Sequence, residues 1–130
     1  MDTHYGLSDI EYELMQFFWK NNQPLLFAEV LAYCNNTLKY GWAATTLHTY
    51  LTRMIQKGVL ASTRKGYKRA YYAKISESQL SYHYANHFLS TSFGGSLKNL
   101  LLTLTSESKL TQTEVDELKQ ILDTNITDDK

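Results

Sequence analysis

Apolar residues recur at helical spacing in six segments of the chain, and we predict a helix over each of them. The predicted helices cover residues 9–20, 27–35, 44–57, 77–92, 96–104 and 112–123. Three of them begin at a capping box, in which a hydroxyl residue stands three positions before Glu or Gln. The capping boxes are Ser8 with Glu11, Ser76 with Gln79, and Thr111 with Glu114.

Between the third and fourth predicted helices the pattern changes to that of a β-hairpin. Residues 59–62 and 70–73 are predicted strands, and the basic stretch 63–69 between them is the predicted loop. Gly66 can supply the positive φ that a tight turn requires. Three helices followed by a charged hairpin predict a winged helix-turn-helix.

The predicted fold is therefore mainly α, of the α+β kind, with a C-terminal helical region after the winged helix. We expect a winged-helix domain over 1–75, a helical dimerisation domain over 76–123 and a frayed tail over 124–130. The last two helices carry aliphatic stripes that expose too much apolar area for a monomer, since burying about four leucines stabilises by roughly 6–12 kcal/mol before entropy costs. The alternative is that these helices fold back on their own N-terminal domain. The predicted dimerisation residues are Leu97, Leu100, Leu101, Leu104, Val115, Leu118 and Leu122.

Charge is divided unevenly along a chain whose formal net charge is +0. Residues 1–75 hold 9 Lys/Arg against 5 Asp/Glu, whereas residues 76–130 hold 4 against 8, giving +4 and −4. The stretch 39–75 carries 8 basic residues and no acidic one. Because phosphate binding depends on local positive potential, this distribution favours a nucleic-acid partner despite the neutral total.

The exposed face of the third predicted helix is rich in threonine and has no acidic residue. Short threonine side chains allow a helix to approach base edges in the major groove, and a threonine methyl packs on a thymine methyl. Basic side chains in the hairpin can meet several phosphates. Each feature also has an ordinary explanation, since the helix face could be solvated surface and the hairpin a soluble turn. Trp42 is by residue type a packing residue at the start of the helix.

The chain contains the segments LSDIEYELMQFFWK, GWAATTLHTYLTRMIQKGVL and YKRAYYAKIS. Together they resemble the penicillinase-repressor family of winged-helix transcriptional repressors (the BlaI, MecI and CopY type). LSDIEYELMQFFWK is similar to the opening helix of the family, whose pattern is Ser-Asp-x-Glu-x-x-Val/Leu-Met-x-x-x-Trp. GWAATTLHTYLTRMIQKGVL resembles its recognition helix, and YKRAYYAKIS resembles the wing strand and the exit to the dimer helices. The resemblance spans about residues 7–122.

The resemblance implies a cytoplasmic homodimer that represses transcription at a double-stranded DNA operator with a dyad of the TACA-n-TGTA kind. The recognition helix, about 44–57, would lie in the major groove beside a basic wing at 63–69. Base readout would fall on Thr45, Thr46 and Thr49, with Ala43 and His48 nearby. Contacts to the DNA backbone would fall on Trp42, Arg53, Arg64, Lys65, Tyr67, Lys68 and Arg69.

The chain departs from relatives at positions that bear on its operator and its inducer. Many relatives have Lys where this chain has Thr45, which bears on the base sequence that is read. Antibiotic-responsive relatives are cut at an Asn-Phe bond, and the aligned pair here is Thr103-Leu104. Copper-responsive relatives carry paired Cys-x-Cys motifs, whereas this chain has only Cys34. We therefore expect neither mode of induction, and the inducer or sensor partner is not named by the sequence.

Other functions have little support in the residues. His83 and His87 share a helix face at i, i+4 spacing, but two ligands are too few for a metal site. No Ser/His/Asp set, carboxylate pair or Gly-rich phosphate loop stands out, so we predict neither an enzyme nor a cofactor. No apolar run reaches the length of a membrane span, and the N-terminus does not read as a signal peptide. The main rival is a winged-helix scaffold for protein–protein interaction without specific DNA readout.

Overall fold

The computed structural model describes residues 5–127 and has the mainly α architecture that the sequence predicts. Its elements, in chain order, are α1 (Asp9–Lys20), β1 (Leu25–Leu26), α2 (Phe27–Ala32), α3 (Ala44–Gln56), β2 (Leu60–Lys65), β3 (Lys68–Ala73), α4 (Glu77–Phe93), α5 (Leu97–Glu107) and α6 (Gln112–Thr124). The three capping boxes form in both directions between backbone and side chain. Helices with a capping box therefore begin at the predicted residue.

A third strand, β1, was not predicted, and the hairpin is part of a three-stranded antiparallel sheet in the order β1-β3-β2. Leu25 pairs with Tyr71 and Leu26 with Ala70. Two residues are too few to show the alternation that identifies a strand, so only tertiary pairing reveals β1. The pairing covers one edge of β3 and helps to bury Leu25.

The predicted hairpin loop over 63–69 is wrong in its extent. Strand pairing continues outward to Lys65 opposite Lys68, which leaves a turn of only Gly66 and Tyr67. Gly66 has φ +70°, which suits the first central position of a type II′ turn. A glycine at this position allows the shortest hairpin connection, so the basic residues lie on strands rather than in a loop.

The second helix also ends differently from the predicted 27–35. Its α-helical part stops at Ala32, and a π-helical turn follows over Tyr33–Thr37. In this wider turn the Leu38 N–H donates to the Tyr33 carbonyl at 3.1 Å. The turn leads into a loop in which Lys39 and Gly41 have left-handed φ values of +63° and +69°.

The core of the N-terminal part lies where α1, α2, α3 and the sheet meet. The predicted stripes of α1 and α3 supply its centre, and the contributing side chains are at most 2% exposed. They are Leu14, Met15, Phe18, Val30, Cys34, Leu47, Leu51, Met54 and Leu60. Two further bonds fasten α1 to the segment after the sheet: the Trp19 indole donates to the Ile75 carbonyl at 2.9 Å, and the Tyr12 hydroxyl donates to Glu77 at 2.6 Å.

One buried carboxylate ties the start of α1 to the end of α3. Glu11 is 1% exposed, and its Oε1 accepts from the Ser8 N–H at 2.9 Å and from the Lys57 ammonium at 2.7 Å. Burial opposes ionisation, but the hydrogen bonds from Lys57 and Ser8 outweigh it and lower the pKa of Glu11. The ion pair therefore fixes α3 against α1 at neutral pH.

Replacing Lys57 by methionine is expected to lower the free energy of unfolding at pH 7 by about 1–2 kcal/mol, because the buried carboxylate loses its cation while Lys57 itself is partly exposed. A carboxyl whose folded pKa is depressed contributes stability above its unfolded pKa, and that contribution disappears as the pH falls through the folded value. In urea unfolding, the difference in stability between the wild type and the variant should thus be smaller at pH 3 than at pH 7. Lys20→Met is the charge-matched control, and an equal loss at both pH values would contradict the assignment.

Contacts divide the chain into two compact units, of which the first ends at Ala85 and the second begins at Asn86. The division falls inside α4, so the functional boundary at 75/76 stays a prediction. Within the described residues 86–127, no side chain is buried. Leu97, Leu104 and Leu122 are 50%, 60% and 51% exposed. No helix within the described part of the chain has both the length and the apolar character needed to cross a membrane.

Candidate nucleic-acid interface

The third helix, α3, presents two chemically distinct faces. Its inner face is fixed in the core by Leu47, Leu51 and Met54, none more than 1% exposed. Its outer face is polar and cationic without any acidic residue, and His48, Thr49, Thr52, Arg53 and Gln56 line a shallow groove along it. A rigid inner face means that the outer face is presented in one orientation, which a base-reading surface requires.

The residues predicted to read bases cluster at the N-terminal half of α3. Ala43, Thr45, His48 and Thr49 are exposed, and Thr46 is half-buried. The Thr49 hydroxyl donates to the Thr45 carbonyl at 3.0 Å, so this threonine has its methyl group and its oxygen lone pairs left for a partner. Thr45 and Thr46 make no side-chain hydrogen bond to any described residue. The structure therefore brings the predicted residues to one exposed surface.

The hairpin carries four positive charges close together. Arg64 lies directly opposite Arg69, and Lys65 directly opposite Lys68, in the antiparallel ladder. None of the four forms an ion pair within the described part of the chain, although Lys65 donates to the Pro24 carbonyl at 3.3 Å. Tyr67, at the turn between the strands, is fully exposed. Like charges placed opposite each other destabilise a hairpin, so this arrangement suggests an anionic partner.

Trp42 packs against neighbouring side chains at the start of α3, as expected for a tryptophan at this position. It is half-buried and stacked between two tyrosines, 4.6 Å from the Tyr40 ring and 4.8 Å from the Tyr50 ring. The Arg53 guanidinium lies 5.2 Å from the centre of the Tyr50 ring. The stacking of Tyr40 and Tyr50 on Trp42 could not be predicted from the sequence, because these contacts between rings two and eight positions apart depend on the loop conformation.

Three hydrogen bonds hold the loop that carries Trp42. The Asn35 amide accepts from the Trp42 N–H at 2.7 Å and donates to the Trp42 carbonyl at 3.0 Å. The Tyr40 hydroxyl donates to Glu13 in α1. Burial, together with the negative charge of Glu13, raises the pKa of Tyr40 above its usual range. The tyrosine is thus a neutral hydrogen-bond donor at physiological pH.

The predicted dimerisation residues all lie on α5 and α6, and none is buried in the single chain. Leu97, Leu104 and Leu122 are at least half exposed, whereas Leu100, Leu101, Val115 and Leu118 are partly covered. By contrast Cys34 is buried, and burial raises the pKa of its thiol to about 11. Within the described residues no group of three or more His, Cys, Asp or Glu side chains could hold a metal ion.

The chain is similar along most of its length to known regulators. A penicillinase repressor from Bacillus licheniformis is 31% identical over 117 residues, which cover 90% of this chain and 89% of the relative. Methicillin resistance regulatory protein MecI from Staphylococcus aureus (strain N315) is 26% identical over 123 residues, covering 91% and 94%. Among solved structures, one from a study of the DNA recognition and protein interaction domains of HOP2 superposes on 48% of this chain and 95% of its own, with a TM-score of 0.42 and 16% identity, a distant likeness.

The penicillinase repressor family model matches residues 7–124, which include the winged helix and all three helices that follow it. The family and the curated relatives are named for regulation rather than for a catalysed reaction. The chain therefore belongs to the penicillinase repressor family of winged-helix proteins and is a transcriptional repressor, not an enzyme.

Proposed function

We propose that the protein is a homodimer that binds a dyad DNA operator of the TACA-n-TGTA kind and blocks transcription there. In this proposal α3 of each copy enters the major groove, where Thr45, Thr46 and Thr49 meet base edges beside Ala43 and His48. The observation that carries the proposal is the outer face of α3. It is exposed, threonine-rich and free of carboxylates, while its inner face is locked in the core.

The hairpin supplies the contacts to the phosphate backbone. Arg64, Lys65, Lys68 and Arg69 are exposed and have no carboxylate partner among the described residues, and Tyr67 is fully exposed at the turn. Such contacts fix the position of a protein on the duplex without reading its sequence. Arg53 on α3 and Trp42 just before α3 add further contacts to the DNA backbone. Affinity is therefore expected to fall steeply as salt concentration rises.

Dimerisation through α5 and α6 matches the two-fold symmetry of a dyad operator. The exposure of Leu97, Leu104 and Leu122 in the single chain supports this arrangement, since a second copy would remove these side chains from water. The stripe also includes Leu100, Leu101, Val115 and Leu118, which are only partly covered. The rival function, a scaffold that binds other proteins without reading DNA, would leave duplex binding weak and insensitive to salt.

Thr46→Ala is expected to relax sequence preference, because it removes a hydroxyl and a methyl from the base-reading surface. One lost base contact reduces discrimination by about 1–3 kcal/mol. The affinity for a TACA-n-TGTA duplex should therefore approach the affinity for a scrambled duplex of the same composition, while binding to the scrambled duplex stays unchanged. Fluorescence anisotropy with both duplexes at one fixed salt concentration measures the ratio.

Thr52→Ala is the matched control for this experiment. It makes the same chemical change on an exposed position of α3 outside the predicted base-reading set. The control should keep the wild-type ratio of the two affinities. If Thr46→Ala and Thr52→Ala behave alike, the N-terminal half of α3 is not the reading surface. If the wild type prefers neither duplex, the proposed operator is wrong.

A further inference from the structure

A continuous stack of side chains connects α1 to the outer face of α3. The rings of Tyr40 and Trp42 lie 4.6 Å apart at 25°, and the rings of Trp42 and Tyr50 lie 4.8 Å apart at 2°. The guanidinium of Arg53 then lies 5.2 Å from the centre of the Tyr50 ring. We call the set of Tyr40, Trp42, Tyr50 and Arg53 the aromatic ladder. Stacked rings and a cation over a ring are each favourable beyond the area that they bury.

The inner end of the aromatic ladder is anchored. Glu13 in α1 accepts a hydrogen bond from the Tyr40 hydroxyl, and the Asn35 amide makes two hydrogen bonds to the Trp42 backbone. The outer end is exposed, because Arg53 faces solvent. The loop before α3 and the cation on α3 are therefore held relative to α1 by one set of contacts.

We propose that Tyr50 and Tyr40 are positioning residues for DNA binding, which hold the Arg53 guanidinium in the orientation that meets a phosphate. This inference rests on the proposed function. A guanidinium above a ring uses its flat face for the contact, so its in-plane N–H donors stay available for phosphate oxygens. A carboxylate partner would occupy those donors and neutralise the charge. No ion pair of Arg53 is found within the described residues, and its guanidinium lies beside the ring of Tyr50.

Holding the side chain in place reduces the entropy that is lost on binding. An arginine on an exposed helix samples many rotamers, and immobilising such a side chain at an interface costs enough to change affinity by about three- to tenfold for each copy. With two copies of the winged-helix domain on a dyad duplex, the affinity would change by about ten- to a hundredfold. In this proposal Tyr50 increases the affinity for DNA by holding Arg53 in place. It does not contact DNA itself, unlike the residues that bind phosphates.

The experiment measures binding of the full-length protein to the TACA-n-TGTA duplex and to a scrambled duplex across a range of salt concentrations. Tyr50→Leu is expected to weaken binding to both duplexes by about ten- to a hundredfold and to reduce the salt slope, since a misoriented Arg53 displaces fewer counterions. Tyr50→Phe keeps the ring and should bind as the wild type does. In an Arg53→Ala background, Tyr50→Leu should change affinity by less than about twofold.

Arg53→Lys tests the same contact without touching the core, so it remains informative if Tyr50→Leu lowers the folded fraction in a thermal melt. It keeps the charge but loses the planar group that stacks, and we expect about a threefold or greater loss. Wild-type affinity in Arg53→Lys, or a Tyr50→Leu effect that simply adds to Arg53→Ala with an unchanged salt slope, would overturn the inference. A wild type that binds neither duplex would overturn the proposed function itself, an outcome distinct from normal binding by Tyr50→Leu.

Discussion

Replacing Arg64, Lys65, Lys68 and Arg69 together by glutamine is expected to weaken binding to every DNA duplex at least about a hundredfold while making the free protein more stable. Each lost phosphate contact reduces the slope of log affinity against log salt by about 0.9, and a dimer loses the contacts of both copies. In the paired strands β2 and β3, Arg64 faces Arg69 and Lys65 faces Lys68, so each pair brings like charges together. Removing the charges relieves repulsion worth roughly 1 kcal/mol in total. Opposite changes in affinity and stability are difficult to explain by misfolding.

Salt titrations with two unrelated duplexes and a thermal melt of the free protein check this prediction. The charge-matched control replaces Lys20, Lys98, Lys109 and Lys119 by glutamine, which lowers the net charge equally but away from the hairpin. The control should keep most of the affinity. Unchanged binding by the hairpin variant would show that the strands do not contact phosphates, and a wild-type salt slope near zero would favour the protein-scaffold alternative.

The double variant Leu104→Glu, Leu122→Glu is expected to sediment as a single 15.0 kDa chain at micromolar concentration, and the wild type is expected to sediment as a dimer. Both side chains are at least half exposed in the single chain, so the substitutions place charge on an interface at little cost to the monomer. Without the partner, the second half-site is no longer reached at high effective concentration. Affinity for the dyad duplex should then fall by about 10²–10⁴.

Leu102→Glu is the control for the dimer prediction, because Leu102 is 57% exposed on α5 but lies outside the predicted stripe. This variant should remain a dimer and should bind the dyad duplex with nearly unchanged affinity. Analytical ultracentrifugation and duplex binding measure the two properties on the same samples. A wild type that is already monomeric, or a double variant that stays dimeric, would contradict the assignment of α5 and α6.

Elements with local start and stop signals could be predicted from the sequence to within a residue or two. Ser8 and Thr111 each begin a capping box, and α1 and α6 start immediately after them. Gly66, whose positive φ makes the hairpin turn, marks the position of the turn in the same way but not its length. Such signals act over three or four neighbouring residues and need no tertiary information.

Features that depend on distant partners could not be predicted in this way. Strand β1 exists because Leu25 and Leu26 pair with β3, some 45 positions further along the chain. The aromatic ladder depends on the conformation of the loop after the π-helical turn, in which Trp42 stacks on Tyr50. The predicted hairpin loop over 63–69 is too long because lysine and arginine have a weak preference for strands. In the structure, pairing between β2 and β3 overrides that preference.

The burial of Cys34 has a practical and a biological consequence. Burial raises the pKa of this thiol to about 11, so the unreactive thiol form predominates at pH 7. Peroxides and maleimides should therefore leave the native protein unmodified at this position, and a cysteine introduced on α3 could be spin-labelled selectively without first removing the natural one. For the same reason, oxidation of this sulfur would require the core around it to open first.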